Sequence, residues 1–245
     1  MNDFAGLIAV VTGGASGIGA AVAEELDSRG ATVAIVDRAI DGEPTFHAEV
    51  ADITSDAEVR AAIGRIGARF GAIDILVNNA GIGAAGDIAA NDDDEWRRVF
   101  DVNVLGIARV TRAALPWLER SDAAAVVNTA SVAATNGLPN RALYSATKGA
   151  VLSLTYAMAA DHLAAGIRVN AVAPGTADTP WVQRLLAAAD DPEATAENLR
   201  LRQPMGRLVS AGEVAFAVAN LASPRAASTT GTVATVDGGL TTLRV

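Results

Sequence analysis

Two side chains four residues apart combine a proton acceptor with a positive charge. Tyr144 and Lys148 fall at the start of a predicted helix, where this spacing places both on one face. Lys148 is the only lysine in the chain, and Tyr144 is one of two tyrosines. A tyrosine that accepts a proton near neutral pH needs its pKa lowered by about 3 units, or about 4 kcal/mol. An ammonium about 4 Å away supplies a comparable energy at an effective dielectric constant of about 20.

This pair predicts a general base for a hydroxyl proton, as hydride transfer from an alcohol requires. Ser131 follows the fifth predicted strand, thirteen residues before Tyr144. We expect its hydroxyl to hold the substrate oxygen and to stabilise developing charge. The alternative is an ordinary i,i+4 surface pair, and the scarcity of lysine and tyrosine in this chain argues against it.

A glycine-rich turn, residues 12–19 (Thr-Gly-Gly-Ala-Ser-Gly-Ile-Gly), follows the first predicted strand and opens a helix. Its glycines allow the backbone to approach a pyrophosphate, and the helix start supplies free N–H groups. Asp37 ends the second strand, where a carboxylate accepts ribose hydroxyls and repels a 2′-phosphate. The pattern predicts NAD rather than NADP; a tight structural turn and a strand-end aspartate are the alternatives. The predicted cofactor contacts here are Gly13, Ser16, Gly17, Ile18, Gly19, Asp37 and Arg38.

Further cofactor contacts are predicted after the third and fourth strands. Asp52 and Ile53 follow a short strand (Phe46–Val50) and are placed to bracket the adenine. Residues 78–81 (Asn-Asn-Ala-Gly) follow the fourth strand, at the switch point where ligands bind in parallel sheets. We expect Asn79, Ala80 and Gly81 to contact the ribose, although Asn78 alone is also typical of a loop cap.

Short β-branched runs alternate with Ala-rich segments of helical period, which predicts a doubly wound parallel α/β sheet in one domain, residues 1–245. A long stretch, residues 176–206, precedes the last helix and is predicted to form a substrate lid with a helical pattern at Trp181–Ala189. The predicted strands are Leu7–Val11, Thr32–Val36, Phe46–Val50, Ile73–Val77, Ala124–Asn128, Ile167–Val172 and Thr232–Val236. The predicted helices are Ile18–Arg29, Asp56–Arg69, Asp93–Glu119, Ala142–Ala164 and Ala211–Ala222.

Composition excludes several classes of function. A net charge of −9 argues against a nucleic-acid partner. No apolar run reaches the length of a membrane span, and the N-terminus lacks the pattern of a signal peptide. With no cysteine and no histidine cluster, we expect no metal site, and a reducing cytoplasm is the expected location.

Taken together, these motifs resemble the short-chain dehydrogenase/reductase family over residues 5–240. The resemblance includes Pro174-Gly175 and the terminal sequence Val-Asp-Gly-Gly at 236–239. It implies a Rossmann-type sheet with strand order 3-2-1-4-5-6-7 and a homotetramer formed by the two long helices and the C-terminal segment. It also implies that Asn103 completes a catalytic tetrad, its side chain holding a water that links Lys148 to solvent.

By the same resemblance, further residues contact the nicotinamide half of the cofactor. Lys148 would bond the nicotinamide ribose, the backbone of Thr176 the carboxamide, and Thr179 the carboxamide or the pyrophosphate. The cofactor contacts of this half are Tyr144, Lys148, Pro174, Gly175, Thr176 and Thr179.

A narrower similarity, in residues 140–148, 174–180 and 201–203, is to cytosolic (type 2) 3-hydroxybutyrate dehydrogenases and 2-keto-3-deoxy-L-fuconate dehydrogenases. It implies that Arg141, Arg184 and Arg202 hold a substrate carboxylate beside Ser131 and Tyr144, consistent with the affinity of guanidinium groups for small anions. The alternative is that these arginines pair with lid carboxylates: Asp178, Asp190, Asp191 or Glu197. The competing functions are a 3-oxoacyl thioester reductase, a neutral sugar or alcohol dehydrogenase, and a non-catalytic nicotinamide-binding sensor.

Overall fold

Seven parallel strands form the central sheet of the protein. The structure is a computed structural model that describes residues 2–187 and 189–244. The strand order is β3-β2-β1-β4-β5-β6-β9, which confirms the predicted order because β9 is the seventh strand of this sheet. The strands are β1 (Ile8–Thr12), β2 (Thr32–Asp37), β3 (His47–Val50), β4 (Ile75–Asn78), β5 (Ala125–Thr129), β6 (Arg168–Pro174), β7 (Ala177–Asp178), β8 (Val209–Ser210) and β9 (Val233–Val236).

Helices cover both faces of the sheet and account for its continuous apolar strands. Strands β4, β5 and β6 are buried along their whole length, as expected for a parallel sheet covered on both sides. On one face α1 packs against α8, and on the other α2 packs against α4, with α5 beside β6. The helices are α1 (Gly17–Ser28), α2 (Asp56–Phe70), α3 (Asp93–Phe100), α4 (Gly106–Leu118), α5 (Ala142–Asp161), α6 (Pro180–Ala187), α7 (Pro192–Leu201) and α8 (Ala211–Ala222).

The predicted helix Asp93–Glu119 is helical from Asp93 to Leu118 but is not α-helical throughout. A π-helical turn, Asp101–Leu105, separates α3 from α4, and Gly106 N–H donates to the carbonyl of Asp101 five residues earlier. This turn carries Asn103, whose side chain bonds to a loop and to α5. The π-turn coincides with contacts between distant segments, which helical periodicity does not register.

The lid between β6 and α8 contains two helices. The predicted pattern at Trp181–Ala189 corresponds to α6, and Ala188 lies outside the described residues. Asp191, whose carboxylate accepts from Ala194 N–H, and Pro192 at the first turn start α7, which was not predicted. The parallel pair β7–β8 joins the two ends of the lid at its base. Within the described residues, no helix combines the length and apolar character needed to cross a bilayer.

Candidate active site

A cleft of about 560 Å³ opens at the carboxyl ends of the sheet strands. It brings together the predicted site residues, with two exceptions, Gly19 and Asn103, which lie outside its lining. The predicted residues that line it are Gly13, Ser16, Gly17, Ile18, Asp37, Arg38, Asp52, Ile53, Asn79, Ala80, Gly81, Ser131, Arg141, Tyr144, Lys148, Pro174, Gly175, Thr176, Thr179, Arg184 and Arg202.

The glycine-rich turn is packed against the loop that follows β4. Gly13 has φ +64°, and a Cβ atom there would lie 2.9 Å from the Cα of Ala80. Asn79 Nδ2 donates to the carbonyls of Thr12 and Gly13, each at 3.2 Å. Gly19 is buried behind the turn, where a Cβ would overlap the carbonyl oxygen of Gly13. Gly19 therefore serves close packing of α1 on the turn and, among the described residues, is not part of the cleft lining.

The start of α1 fits a pyrophosphate. Ser16 is its N-cap residue, but within the described residues its side chain makes no capping bond and the first turn carries no acidic residue. Gly17 has φ +57°, and the nearest atoms to a Cβ there belong to Thr179 and Pro180, at the ordinary contact distance of 3.7 Å. The free N–H groups of this helix start thus face the cleft as an anion site. Thr179 lies beside Gly17. Of the two contacts predicted for Thr179, this position favours the one with the pyrophosphate.

Two carboxylates lie at the end of the cleft where the adenosine is expected. Asp37 Oδ2 accepts from Ala15 N–H at 3.1 Å, and its Oδ1 accepts from Arg38 N–H at 2.8 Å. The carboxylate of Asp37 thus lies at the edge of the glycine-rich turn, where a ribose is expected. Asp52 Oδ1 accepts from the N–H and the hydroxyl of Thr54, both at 2.8 Å, and these bonds lower the pKa of Asp52.

Lys148 projects from α5 into the buried end of the cleft. Its Nζ donates to the carbonyl of Thr129, at the end of β5, at 2.8 Å. Burial lowers the pKa of Lys148 to about 8, because desolvation disfavours the charged form. The Nζ atom lies 5.7 Å from the centre of the Tyr144 ring.

The pKa of Tyr144 moves in the direction opposite to the sequence prediction. Burial raises it above the ordinary value, opposed by a hydrogen bond with Ser131 and by the charge of Arg141. The expected lowering by Lys148 is not seen, because burial lowers the pKa of Lys148 to about 8 and its positive charge is lost before a tyrosine with a raised pKa titrates. In the protein alone, desolvation therefore outweighs the neighbouring positive charge.

Asn103 connects the loop after β4 to α5, the helix that carries Tyr144 and Lys148. Its Nδ2 donates to the carbonyl of Ile82 at 2.9 Å and to Thr147 Oγ1 at 3.1 Å, while its Oδ1 accepts from Ile82 N–H at 2.8 Å. Thr147 Oγ1 in turn donates to the carbonyl of Tyr144 at 2.8 Å. The amide protons of Asn103 are thus engaged, which leaves a lone pair of Oδ1 for a water. Thr147 was missed from the sequence because a helix-interior threonine carries no distinguishing signal.

The three predicted arginines lie around the cleft. Arg141 Nη1 donates to the carbonyl of Ala84 at 3.0 Å. Burial lowers the pKa of Arg141, the charge of Tyr144 opposes this, and the nearby charge of Arg202 adds to the lowering. Arg184 projects from α6.

Three of the four lid carboxylates named above have other partners. Arg200 pairs with Glu197, Asp178 accepts from Gln183, and Asp191 caps α7. Among the described residues no carboxylate forms an ion pair with Arg141, Arg184 or Arg202. Within the same residues, no group of three histidine or acidic side chains is arranged to hold a metal ion.

Comparison with known proteins agrees with this geometry. The family model described as "Enoyl-(Acyl carrier protein) reductase" matches residues 13–241. The chain is 42% identical to cis-4-hydroxycyclohexanecarboxylate dehydrogenase of Sinomonas cyclohexanicum, over 97% of this chain and 98% of the relative. It is 38% identical to 2-(S)-hydroxypropyl-CoM dehydrogenase 3 of Xanthobacter autotrophicus, over 96% and 97%.

Among solved structures, the ligand-free aldohexose dehydrogenase of Thermoplasma acidophilum superposes with a TM-score of 0.94 at 36% identity, covering 99% of this chain and 97% of the other. One family is indicated by the fold, by the Ser131–Tyr144–Lys148 arrangement and by these relatives. The chain belongs to the short-chain dehydrogenase/reductase family, as an oxidoreductase that binds a nicotinamide cofactor and acts on hydroxyl-bearing substrates.

Proposed function

We propose that this protein is an NAD-dependent dehydrogenase that interconverts a small, carboxylate-bearing secondary alcohol and its ketone. The observation that carries the proposal is the position of Arg141 and Arg202. Both line the cleft that contains Tyr144, lie close enough to repel each other, and have no carboxylate partner among the described residues. Two such guanidinium groups favour an anion between them. The relative that acts on a hydroxycyclohexanecarboxylate supports the same substrate class.

In this proposal the protein supplies proton transfer and positioning. A bound nicotinamide cofactor supplies the hydride acceptor and, when oxidised, a positive ring charge. Ser131 Oγ donates to the substrate oxygen, and Tyr144 Oη takes the hydroxyl proton. Because burial raises the pKa of Tyr144, proton acceptance requires nearby positive charge, which protonated Lys148 contributes. A water on Asn103 Oδ1 then carries the proton towards solvent.

Asp37 is the basis for proposing NAD rather than NADP. Its carboxylate lies at the edge of the glycine-rich turn, and its negative charge would oppose a 2′-phosphate there. Arg38 is exposed beside it, but the bond from Ala15 holds the carboxylate, rather than the guanidinium, against the turn. We also propose that the substrate is similar to those of 3-hydroxybutyrate and 2-keto-3-deoxy-L-fuconate dehydrogenases.

Assembly as a homotetramer belongs to the same proposal. Apolar side chains are exposed on and beside the helices expected to form the interfaces: Leu105 before α4, Tyr156 on α5 and Leu163 after it. In the proposed tetramer these side chains are covered by a neighbouring subunit. Light scattering of the purified protein measures the assembly.

Replacement of Arg141 tests the substrate class. We expect R141M to lower kcat/KM for a hydroxy acid about 10- to 100-fold, since hydrogen bonds to charged groups contribute about 1.5–3 kcal/mol. Turnover of a neutral analogue, such as the methyl ester, should change little. R141K keeps the charge without the planar guanidinium, so its kcat/KM for the hydroxy acid should lie between those of wild type and R141M.

Arg200 provides the matched control, because it lies in the same lid, pairs with Glu197 and does not line the cleft. R200M should leave the preference for the acid over the ester unchanged. Equal losses for the acid and the ester in R141M would contradict an anion-binding role for Arg141.

A further inference from the structure

The indole of Trp181 packs against a glycine in the wall of the cleft. Trp181 lies near the start of α6, in the lid, and Gly83 lies in the loop that follows β4. A Cβ atom on Gly83 would lie 2.7 Å from Cζ2 and 3.2 Å from Cε2 of the indole. Real Cβ atoms do not approach other atoms so closely, so only glycine at position 83 leaves room for the ring where it is.

Arg141 contacts the same indole. The Arg141 guanidinium lies 5.8 Å from the centre of the Trp181 ring, within range of a cation–π interaction. The carbonyl of Ala84, next to Gly83, accepts from Arg141 Nη1 at 3.0 Å. Loop, arginine and lid tryptophan therefore form one connected contact.

The loop side of this contact is held firmly. Ile82, next to Gly83, exchanges two hydrogen bonds with the side chain of Asn103. The lid side is less enclosed, because Trp181 is 43% exposed although it lines the cleft. The position of the indole is thus set by the Gly83 slot and by Arg141 rather than by burial in the core.

We propose that Trp181, seated against Gly83 and Arg141, is a specificity-determining residue that limits the length of substrate accepted at the arginine end of the cleft. The indole forms the wall of the cleft at this end and holds the guanidinium in place. Short hydroxy acids therefore fit between Arg141 and Tyr144, and longer ones do not. The identity of the anion rests on the function proposed above. The size limit does not, because the ring fills the same space whatever the charge of the substrate.

A double-mutant cycle with W181A, G83A and the combined variant tests the proposal, using 3-hydroxybutyrate as the short substrate and cis-4-hydroxycyclohexanecarboxylate as the long one. W181A should shift the ratio of kcat/KM values at least tenfold towards the long substrate. G83A should shift it in the same direction, because its methyl group displaces the indole. In the W181A background G83A should have no further effect. W181F, which keeps an aromatic ring, should restore most of the selectivity.

Fluorescence supplies a readout independent of turnover. G83A should shift the tryptophan emission to the red relative to wild type. When G83A is introduced into W181F, no such shift should occur relative to W181F alone. Unchanged NAD affinity and thermal unfolding show that the variants are folded. Additive effects of G83A and W181A, or unchanged selectivity in W181A, would overturn the proposal.

The two proposals fail in different ways. If acids and neutral alcohols turn over equally, but the cycle is non-additive with short and long neutral alcohols, the size limit stands and the carboxylate assignment falls. If acids are preferred but the two substitutions add, only the role of Trp181 falls.

Discussion

The burial of Lys148 couples its charge to the stability of the protein. In the folded state burial lowers the pKa of this ammonium to about 8, from an ordinary value of 10.5. Between these two pH values the unfolded chain binds more protons than the folded one, so the free energy of unfolding rises with pH. Below about pH 8 the full cost of burying the charge is present.

We predict that between pH 8 and pH 10.5 the wild-type protein gains about 3 kcal/mol of stability relative to K148M, from about 1.4 kcal/mol for each unit of pKa shift. Urea unfolding of both proteins, without cofactor and over this pH range, measures the difference. Comparison with K148M cancels the other groups that titrate there. Parallel pH dependences would show that Lys148 is not desolvated as described.

Tyr144 is where the residue type was predictable and its electrostatic state was not. A four-residue spacing on a helix identified the pair with Lys148. The direction of the ammonium is set by the carbonyl of Thr129 on β5, nineteen residues away along the chain. Burial then raises the pKa of Tyr144, an effect that sequence spacing does not contain.

At the scale of the elements, Thr147 links α5 to the loop after β4 through the side chain of Asn103. It is fully buried, accepts from Asn103 Nδ2, and donates to the carbonyl of Tyr144. T147V removes both bonds at nearly constant volume and leaves a buried amide proton of Asn103 without this partner. We predict a loss of about 1–3 kcal/mol in the free energy of unfolding and a fall in kcat with little change in KM.

T147S keeps the hydroxyl and should recover most of kcat. Denaturant unfolding and steady-state kinetics of the two variants measure these effects. If T147S, which keeps the hydroxyl, loses as much kcat as T147V, the two hydrogen bonds of Thr147 do not account for the effect on kcat.

The packing of α2 on α4 depends on a second glycine. A Cβ on Gly67 would overlap the Trp117 ring, so G67A must displace that ring or separate the helices, at a cost of about 1–3 kcal/mol. Gly64 lies in the same helix, and nothing lies within 4 Å of its Cβ position. G64A should therefore stabilise the protein by about 0.5–1 kcal/mol through helix propensity. Thermal unfolding of the two variants should move in opposite directions, and a similar fall in both would refute this packing.

At the scale of the whole molecule, the sheet was predictable because its signals are local. Apolar β-branched runs separated by helical segments predict a parallel sheet, and the strand order that the family resemblance implies agrees with the structure. The features that were missed require contacts between distant residues. The π-turn at Asp101–Leu105 coincides with the bonds of Asn103, and the β7–β8 pair brings together segments some thirty residues apart.

The cleft shows the same division. Polar motifs after each strand identified most of its lining, because parallel strands end at one edge. Its apolar wall was not predicted as a site: Gly83 and Ile82 carry no chemical signal, and their importance comes from Trp181 and Asn103 seated against them.

We propose that this cleft oxidises a carboxylate-bearing alcohol with NAD. The most direct measurement is kcat/KM of the wild-type protein for 3-hydroxybutyrate, sugar acids and their neutral analogues, each with NAD and with NADP. We predict that kcat/KM is at least tenfold higher for an acid than for its neutral analogue, and higher with NAD than with NADP by a similar factor. Equal turnover of acids and neutral alcohols would contradict the role of the arginines, and a preference for NADP would contradict the role of Asp37.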